Sequence, residues 1–527
     1  MNRSIEILLL VFALQLVAQP VDSITITVLP VFDEDGDYWG PYDYRWVYKI
    51  GNALHIKTRP ATVKRFLPFD IGDTLSPELI AESERRLRGT DFISEAEIKL
   101  IETDSGNAAH VTVTDLWTTK LSPSTSYKGR VLEWWVEAED VNFAGWGVDI
   151  AGAFRHDEDY DSWSLKLYMP KLLPGHISAK IYYSDATIDV GPTTSGFYLS
   201  RNQRNDKDKI IAKGGAYLIG GEYPTWTDNH TAGPAYSIDD FAGYFGTKYL
   251  PMPEIGIGFG IYMSHQHRGI PWSFSDETST QPLTDRDLRV GTFGISLLKR
   301  GYFTARDVDA FGRTEDIPTG FLLSAEGGFG PRGYSPYARA YGLLAIRVGP
   351  IYGNFYINYR RVVETEASAA AFTFFTKKFI SSRICGRAVY AGVSRDLPES
   401  YYRVGGQSCL RGYRSYAQTG ERALFGNLET RIFTPVEVFS IRLGGAVFID
   451  FGTAWNPTNR DLVITGTPKP ILGDYGLELR FASTSSTTGQ ILKASIARTF
   501  DGEWEFALSA GQQFLTYSSL EHNIPIP

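Results

Sequence analysis

The residue in this sequence best equipped for charge chemistry is an arginine set in a turn-rich loop. The stretch Gly405-Gly406-Gln407-Ser408-Cys409-Leu410-Arg411-Gly412-Tyr413-Arg414 carries glycines for tight turns, and Arg411 is followed by a glycine and an aromatic. A guanidinium is a rigid fork of donors that matches a carboxylate with two parallel hydrogen bonds, so Arg411 calls for an acidic partner. Two acids downstream qualify, Glu429 and Asp450. Other chemistries are weaker. His265 and His267 share one face of a strand-like segment, but no third ligand is placed with them, and no metal site is expected. Arg332-Gly333-Tyr334, in GGFGPRGY, repeats the Arg-Gly-Tyr order without a following Phe-x-Asp-x-Gly strand and reads as a glycine-rich turn. No GxSxG nucleophile elbow occurs and no histidine is matched to a serine, so no catalytic residue, enzymatic activity or cofactor is expected. Cys385 and Cys409 could pair in an oxidising compartment, but two cysteines in 527 residues are no disulfide framework.

The segments that must position Arg411 and its acids alternate strictly. In Leu424 to Phe433, Leu424, Leu428 and Ile432 oppose Asn427, Glu429 and Arg431; in Ile441 to Asp450, Ile441, Leu443, Val447 and Ile449 oppose Arg442 and Asp450. Tyr475, Leu477, Leu479 and Phe481 oppose Glu478 and Arg480, and Trp504, Phe506, Leu508, Ala510 and Phe514 oppose Glu505, Ser509 and Gln513. Charges confined to one face, with aromatics near strand ends, are what lipid outside and a polar lumen inside demand. From about Thr118 to Phe514, ten-residue alternating segments recur between Gly, Pro, Asn and Asp, and no amphipathic helix is evident. The expected fold is therefore an all-β transmembrane barrel over 118–514, of about 16 antiparallel strands.

Composition agrees. Tyr (30), Phe (31) and Gly (52) are abundant and Met (4) is scarce, which favours strands, turns and aromatic girdles. A net charge of −8 with both signs interspersed leaves no basic face for nucleic acid. Residues 1–23 read as a signal peptide, because Arg3 precedes an apolar run from Ile5 to Ala18 that is shorter than the roughly 20 residues of a spanning helix. Residues 24–45 read as a linker or arm. Residues 46–117 read as a compact α+β unit of order β-α-α-β-β: a strand over Ala53 to Thr58, a short helix from Arg59-Pro60, a helix capped by Ser76-Pro77 and ending at Gly89, then two strands. Residues 515–527 read as a C-terminal extension past Phe514.

These motifs together resemble a known family. Leu410-Arg411-Gly412-Tyr413, the strand GNLETRIF, Phe448-Ile449-Asp450-Phe451-Gly452, a last strand ending in Phe514 and the early segment EAEDVNFAGWG are similar to the BamA/TamA-type outer-membrane assembly barrels, the bacterial surface antigen family. The stretches LHIKTRPATVKRFLPFDIGDTL and ESERRLRGTDFISEAEI resemble a POTRA (polypeptide-transport-associated) domain. The resemblance implies that Arg411 is a lumenal loop tip shaped by Gly412 and Tyr413 and tethered to Glu429 or Asp450. It further implies a seam between a first barrel strand (about Leu132 to Phe143, with Val136 and Asn142) and the last (Leu508, Phe514). The implied partners are outer-membrane lipid, unfolded or extended client polypeptides and accessory periplasmic proteins, at the cell outer membrane with the N-terminal domain in the periplasm. The function so implied is outer-membrane protein assembly or translocation; the alternative is a passive pore or surface antigen without insertase activity.

Overall fold

The structure, a computed structural model, describes residues 20–517 except 35–44, 105, 129–130, 157–160, 174–175, 187–190, 206, 224–225, 228–230, 233–235, 270–283, 331–336, 363–364, 395–401, 407–408, 415–416, 458–468 and 487–490. The signal segment up to residue 19, Arg332-Gly333-Tyr334, the side chain of His267 and the end of the C-terminal extension lie outside the described residues.

The N-terminal unit is a three-stranded sheet backed by helices. Strand Ser23–Leu29 pairs in parallel with Gly106–Asp115, which pairs antiparallel with Ile93–Thr103. The arm expected over 24–45 thus begins as an outer strand of this sheet. The strand expected over Ala53 to Thr58 is absent, because a helix, Arg45–Leu54, takes up its first two residues. Trp46, Ile50 and Leu54 recur every four residues, and that helical period overrides the short alternation that follows. Helix Pro77–Arg88 starts where Ser76 Oγ accepts the amide of Leu79 at 3.2 Å, and ends at Gly89. Its Leu87 packs with Val63, Leu67, Phe69, Ile98 and Val111 in a closed core. Each such side chain contributes about 1.5–3 kcal/mol by leaving water.

Twenty strands among the described residues, all paired antiparallel, close into one barrel, four more than the sequence reading expected. The excess comes from tight connections. At Phe439-Ser440 both residues take positive φ (53° and 57°), joining two long strands through a two-residue turn. Alternation is obeyed on the strands around the loop: Leu424, Leu428, Leu477 and Leu479 are exposed outside, while Glu429, Arg431, Glu478 and Arg480 are buried within. Phe241, Phe245, Phe259 and Phe293 continue the outward apolar face elsewhere around the barrel.

Closure departs from expectation. The first barrel strand is Thr119–Lys128, not Leu132 to Phe143, which belongs to the second strand, Val131–Phe143. The segment TKLSPSTSYK hides its strand character, since Leu121 is its one large aliphatic residue and Pro123 interrupts it. The last strand, Trp504–Ala510, stops before Gly511 (φ 81°), so Phe514 is off the strand; the chain turns into the barrel and buries Phe514 there.

The N-terminal unit docks on the barrel end where the chain enters. Thr62 Oγ1 and the amide of Arg59 donate to the carbonyl of Gly145 in the turn after Val131–Phe143, at 2.8 and 3.0 Å. Arg204, on a second turn at that end, reaches Asp70 through two nitrogens at 2.6 and 2.8 Å, and Lys207 pairs with Asp73 at 2.5 Å. Arg88 grips Asp316 with two hydrogen bonds of 2.8 and 3.0 Å.

Candidate functional site

Between strands Ser382–Ser394 and Arg422–Val438 the chain leaves the barrel wall and folds inward. Tyr402–Val404 and Gln418–Gly420 pair as a short hairpin, and Gly405 and Gly406 (φ 124° and 79°) turn the backbone in a region open to glycine. Val404, Cys409 and Leu410 seat this loop against Ala423 and Ala454 of the wall. Arg411 is thereby driven into the lumen, 1% exposed.

The sequence reading left Arg411 a choice of acids, and the structure supplies both. Nε and Nη2 donate side by side to Asp450 at 2.8 Å each, while Nη1 reaches Glu429 at 2.7 Å. The guanidinium lies 3.5 Å from the centroid of the Phe448 ring, which adds a cation–π contact. The amide of Gly412 donates to Asp474 at 2.9 Å, and a Cβ built on Gly412 would stand 2.7 Å from the Asp474 Cβ, so this close approach requires glycine. The Tyr413 hydroxyl donates to the carbonyl of Gly473 at 3.2 Å.

Glu429 is the hub of a larger buried network. Arg431 donates to it at 2.9 Å and Arg480 at 3.1 Å, and Arg480 also holds Glu478 at 2.6 Å. Arg431 then reaches Asp309 at 2.7 Å, on a loop that enters the lumen from the opposite barrel end. Arg431 also donates to the carbonyl of Phe514 at 2.9 Å, and the amide of Thr516 donates to Asp309 at 2.8 Å. A continuous charged strut thus crosses the lumen from the Arg411 loop to the Asp309 loop and the C-terminal segment. Within low dielectric such an array is costly to break from one side, because an unpaired buried charge remains.

The seam lies elsewhere. The last strand meets the first through Phe506–Tyr127, Ala507–Ser126 and Leu508–Thr125, a pairing three residues long. The shortest pairing elsewhere among the described barrel strands, between Ile491–Thr499 and Trp504–Ala510, runs seven residues. Pro123 lacks an amide for a ladder, and proline in strands is characteristic of edges. Of the expected seam residues, only Leu508 is at the junction. Val136 faces Pro123 across the second strand pair, because an unrecognised strand precedes it. Asn142 instead donates to Thr58 Oγ1 at 2.7 Å and accepts the Gly147 amide at 2.6 Å, fastening the N-terminal unit. Phe514 joins a lumenal cluster with Val308, Tyr352 and Cys385.

The sequence reading did not assign Asp309, Asp474, Glu478, Arg431 or Arg480 to the site. Alternation marks Arg431, Glu478 and Arg480 as inward facing, whereas Asp309 sits in a loop with no periodic signal. Cys385 and Cys409 are both buried and are not joined by a disulfide. No cluster of three or more potential metal ligands occurs among the described residues.

No family model matches the chain, and no curated protein matches it. Among solved structures it is similar to BamA from Haemophilus ducreyi lacking POTRA domains 1–3 (14% identity, 93% of this chain and 84% of that one, TM-score 0.40). It is also similar to CdiB from Acinetobacter baumannii (11% identity, 94% and 74%, TM-score 0.44) and CdiB from Escherichia coli (11% identity, 94% and 76%, TM-score 0.43).

Proposed function

We propose that this chain is an outer-membrane assembly or translocation barrel of the BamA/TamA type. Its N-terminal unit, POTRA-like, holds extended polypeptide, and the barrel inserts or passes it by parting the seam between Thr119–Lys128 and Trp504–Ala510. The observation that carries the reading is that seam: three paired residues and a proline-bearing strand in a barrel whose other described junctions are at least seven residues long. A closed barrel has no free edge, so templating an incoming strand needs a junction that opens. Client capture follows the same physics. Ser23–Leu29 and Ile93–Thr103 are the outer strands of the N-terminal sheet, and Leu29, Leu100 and Ile101 are exposed on them. Extended clients pair with such an edge through backbone hydrogen bonds. The outward phenylalanines and leucines support an outer-membrane barrel, and on this reading the N-terminal unit stands in the periplasm, open to accessory proteins there. No bond-making chemistry is assigned.

The test is a disulfide between Thr125→Cys and Leu508→Cys, which are register partners, in a background with Cys385 and Cys409 replaced. In vesicles the crosslinked protein should lose client insertion or passage and regain it on reduction. Undiminished client handling with the crosslink formed rejects the seam mechanism. Unchanged ion conductance with no client handling in either state would assign the passive pore instead.

A further inference from the structure

The helix Arg45–Leu54 turns its apolar face the wrong way for a globular unit. Trp46, Ile50 and Leu54 lie one above another at four-residue spacing and are 62%, 51% and 70% exposed; Ile56, just beyond, is also exposed. The opposite face is the one that packs: Tyr48 is buried 5.2 Å from the Phe32 ring, and Asn52 Nδ2 donates to the Phe32 carbonyl at 2.9 Å. The exposed stripe is therefore a designed surface and not a frayed end. A Trp, an Ile and a Leu in a row cost free energy in water unless something apolar covers them.

Two observations say what covers it. The segment 45–59 carries Arg45, Lys49, Lys57 and Arg59 and contains no aspartate or glutamate, in a chain whose net charge is −8. Apolar stripe plus cationic flanks is the composition of a helix lying in the headgroup boundary of a bilayer. The helix is also fixed beside the barrel wall. Phe32 packs 6.3 Å from Trp117, Trp117 donates its amide to Ser485 at 2.8 Å, and the first barrel strand begins at Thr119 with Leu121 exposed on it.

We infer that helix Arg45–Leu54 is an interfacial anchor that lays Trp46, Ile50 and Leu54 into the anionic-lipid surface beside the seam. It rests on the reading of the barrel as membrane-spanning. The anchor holds the N-terminal unit against the membrane where the first and last strands meet, so a client leaving the sheet edge is delivered close to the opening. The exposed lysines Lys49 and Lys57 take phosphate headgroups, and the apolar side chains reach the glycerol and first methylenes.

The experiment uses the full chain, with Cys385 and Cys409 replaced, reconstituted in phosphatidylcholine vesicles with and without phosphatidylglycerol. One sample carries an environment-sensitive fluorophore at Ile50→Cys and another at Phe245→Cys on the outer barrel face, each with a lipid-borne quencher placed shallow or deep. The Ile50 label should lose about half its emission to the shallow quencher, more in the anionic vesicles, and little to the deep one. The Phe245 label, quenched in the bilayer, reports the barrel itself. Quenching at Phe245 with none at Ile50 overturns the anchor and leaves the barrel reading intact. Failure of both labels to be quenched overturns the membrane reading and the anchor with it. A blue-shifted Ile50 label that responds only when a polypeptide client is added, and never to the lipid quencher, assigns the stripe to clients and overturns the anchor.

Discussion

Two sectors of the same barrel are built on opposite principles. The wall from Ser382–Ser394 to Ile491–Thr499 is braced from inside by Arg411, Arg431 and Arg480 converging on Glu429, with Asp450, Asp309 and Glu478 completing the array. The junction of Thr119–Lys128 with Trp504–Ala510 has three paired residues and a proline. Ladder length and buried charge thus divide the barrel into an internally braced sector and a junction with few paired residues. The two are linked physically, because the segment that follows the last strand delivers Phe514 and Thr516 to Arg431 and Asp309. Under the proposed seam mechanism, the last strand leaves its partner while its C-terminal end stays moored to the strut.

The largest expected effect comes from breaking the strut. Arg411→Ala leaves the buried carboxylates of Asp450 and Glu429 without a shared partner and should destabilise the barrel by about 3–5 kcal/mol, read as lost heat-modifiability on gels or a lower urea midpoint. Arg411→Lys should recover little, since one ammonium cannot make the paired bonds to Asp450 and also reach Glu429. Wild-type stability in both variants would erase the contrast between sectors.

Phe514→Ala tests the mooring. Emptying its place among Val308, Tyr352 and Cys385 should cost about 3–5 kcal/mol if the site stays dry, and less where water fills the space. Its distinctive mark is a seam crosslink between Thr125→Cys and Leu508→Cys that forms more slowly than in the parent, because the last strand is no longer held in register. Gly412→Ala should be milder, about 1–3 kcal/mol, as the new methyl pushes against Asp474.

The smallest effect is a pH dependence of docking. The hydrogen bond from Arg204 holds the Asp70 carboxyl below its usual range, and that from Lys207 does the same for Asp73. A carboxylate depressed on docking contributes above its free value, about 4, and loses that contribution as pH falls through the depressed value. Protease cleavage of the 202–208 turn should therefore rise only below about pH 4, and modestly, because both acids are partly solvated. An equal rise at neutral pH would mean these pairs do not hold the unit in place.

What the sequence disclosed follows from where period-2 alternation survives. Glu429 and Asp450 could be placed inside because Leu424, Leu428, Val447 and Ile449 mark the outward apolar face so plainly. The same rule extends to Arg431, Glu478 and Arg480. It fails at Asp309, whose turn is held by side-chain bonds that no period marks: its amide and that of Val308 donate to Glu315 at 3.0 and 2.8 Å. It fails also at Thr119–Lys128, where a single large aliphatic residue and a proline leave no alternation to read, so that missing one strand shifts the expected seam from Thr125 to Val136. Strand number was underestimated because turns such as Phe439-Ser440 use two residues where longer loops were assumed.

Amide hydrogen exchange on the reconstituted full chain tests the division of labour most directly. Backbone amides of 119–128 and 504–510 should exchange at least about a hundredfold faster than those of 422–438 and 441–455, reflecting an opening free energy several kcal/mol lower at the seam. Equal protection in the two sectors would contradict the account.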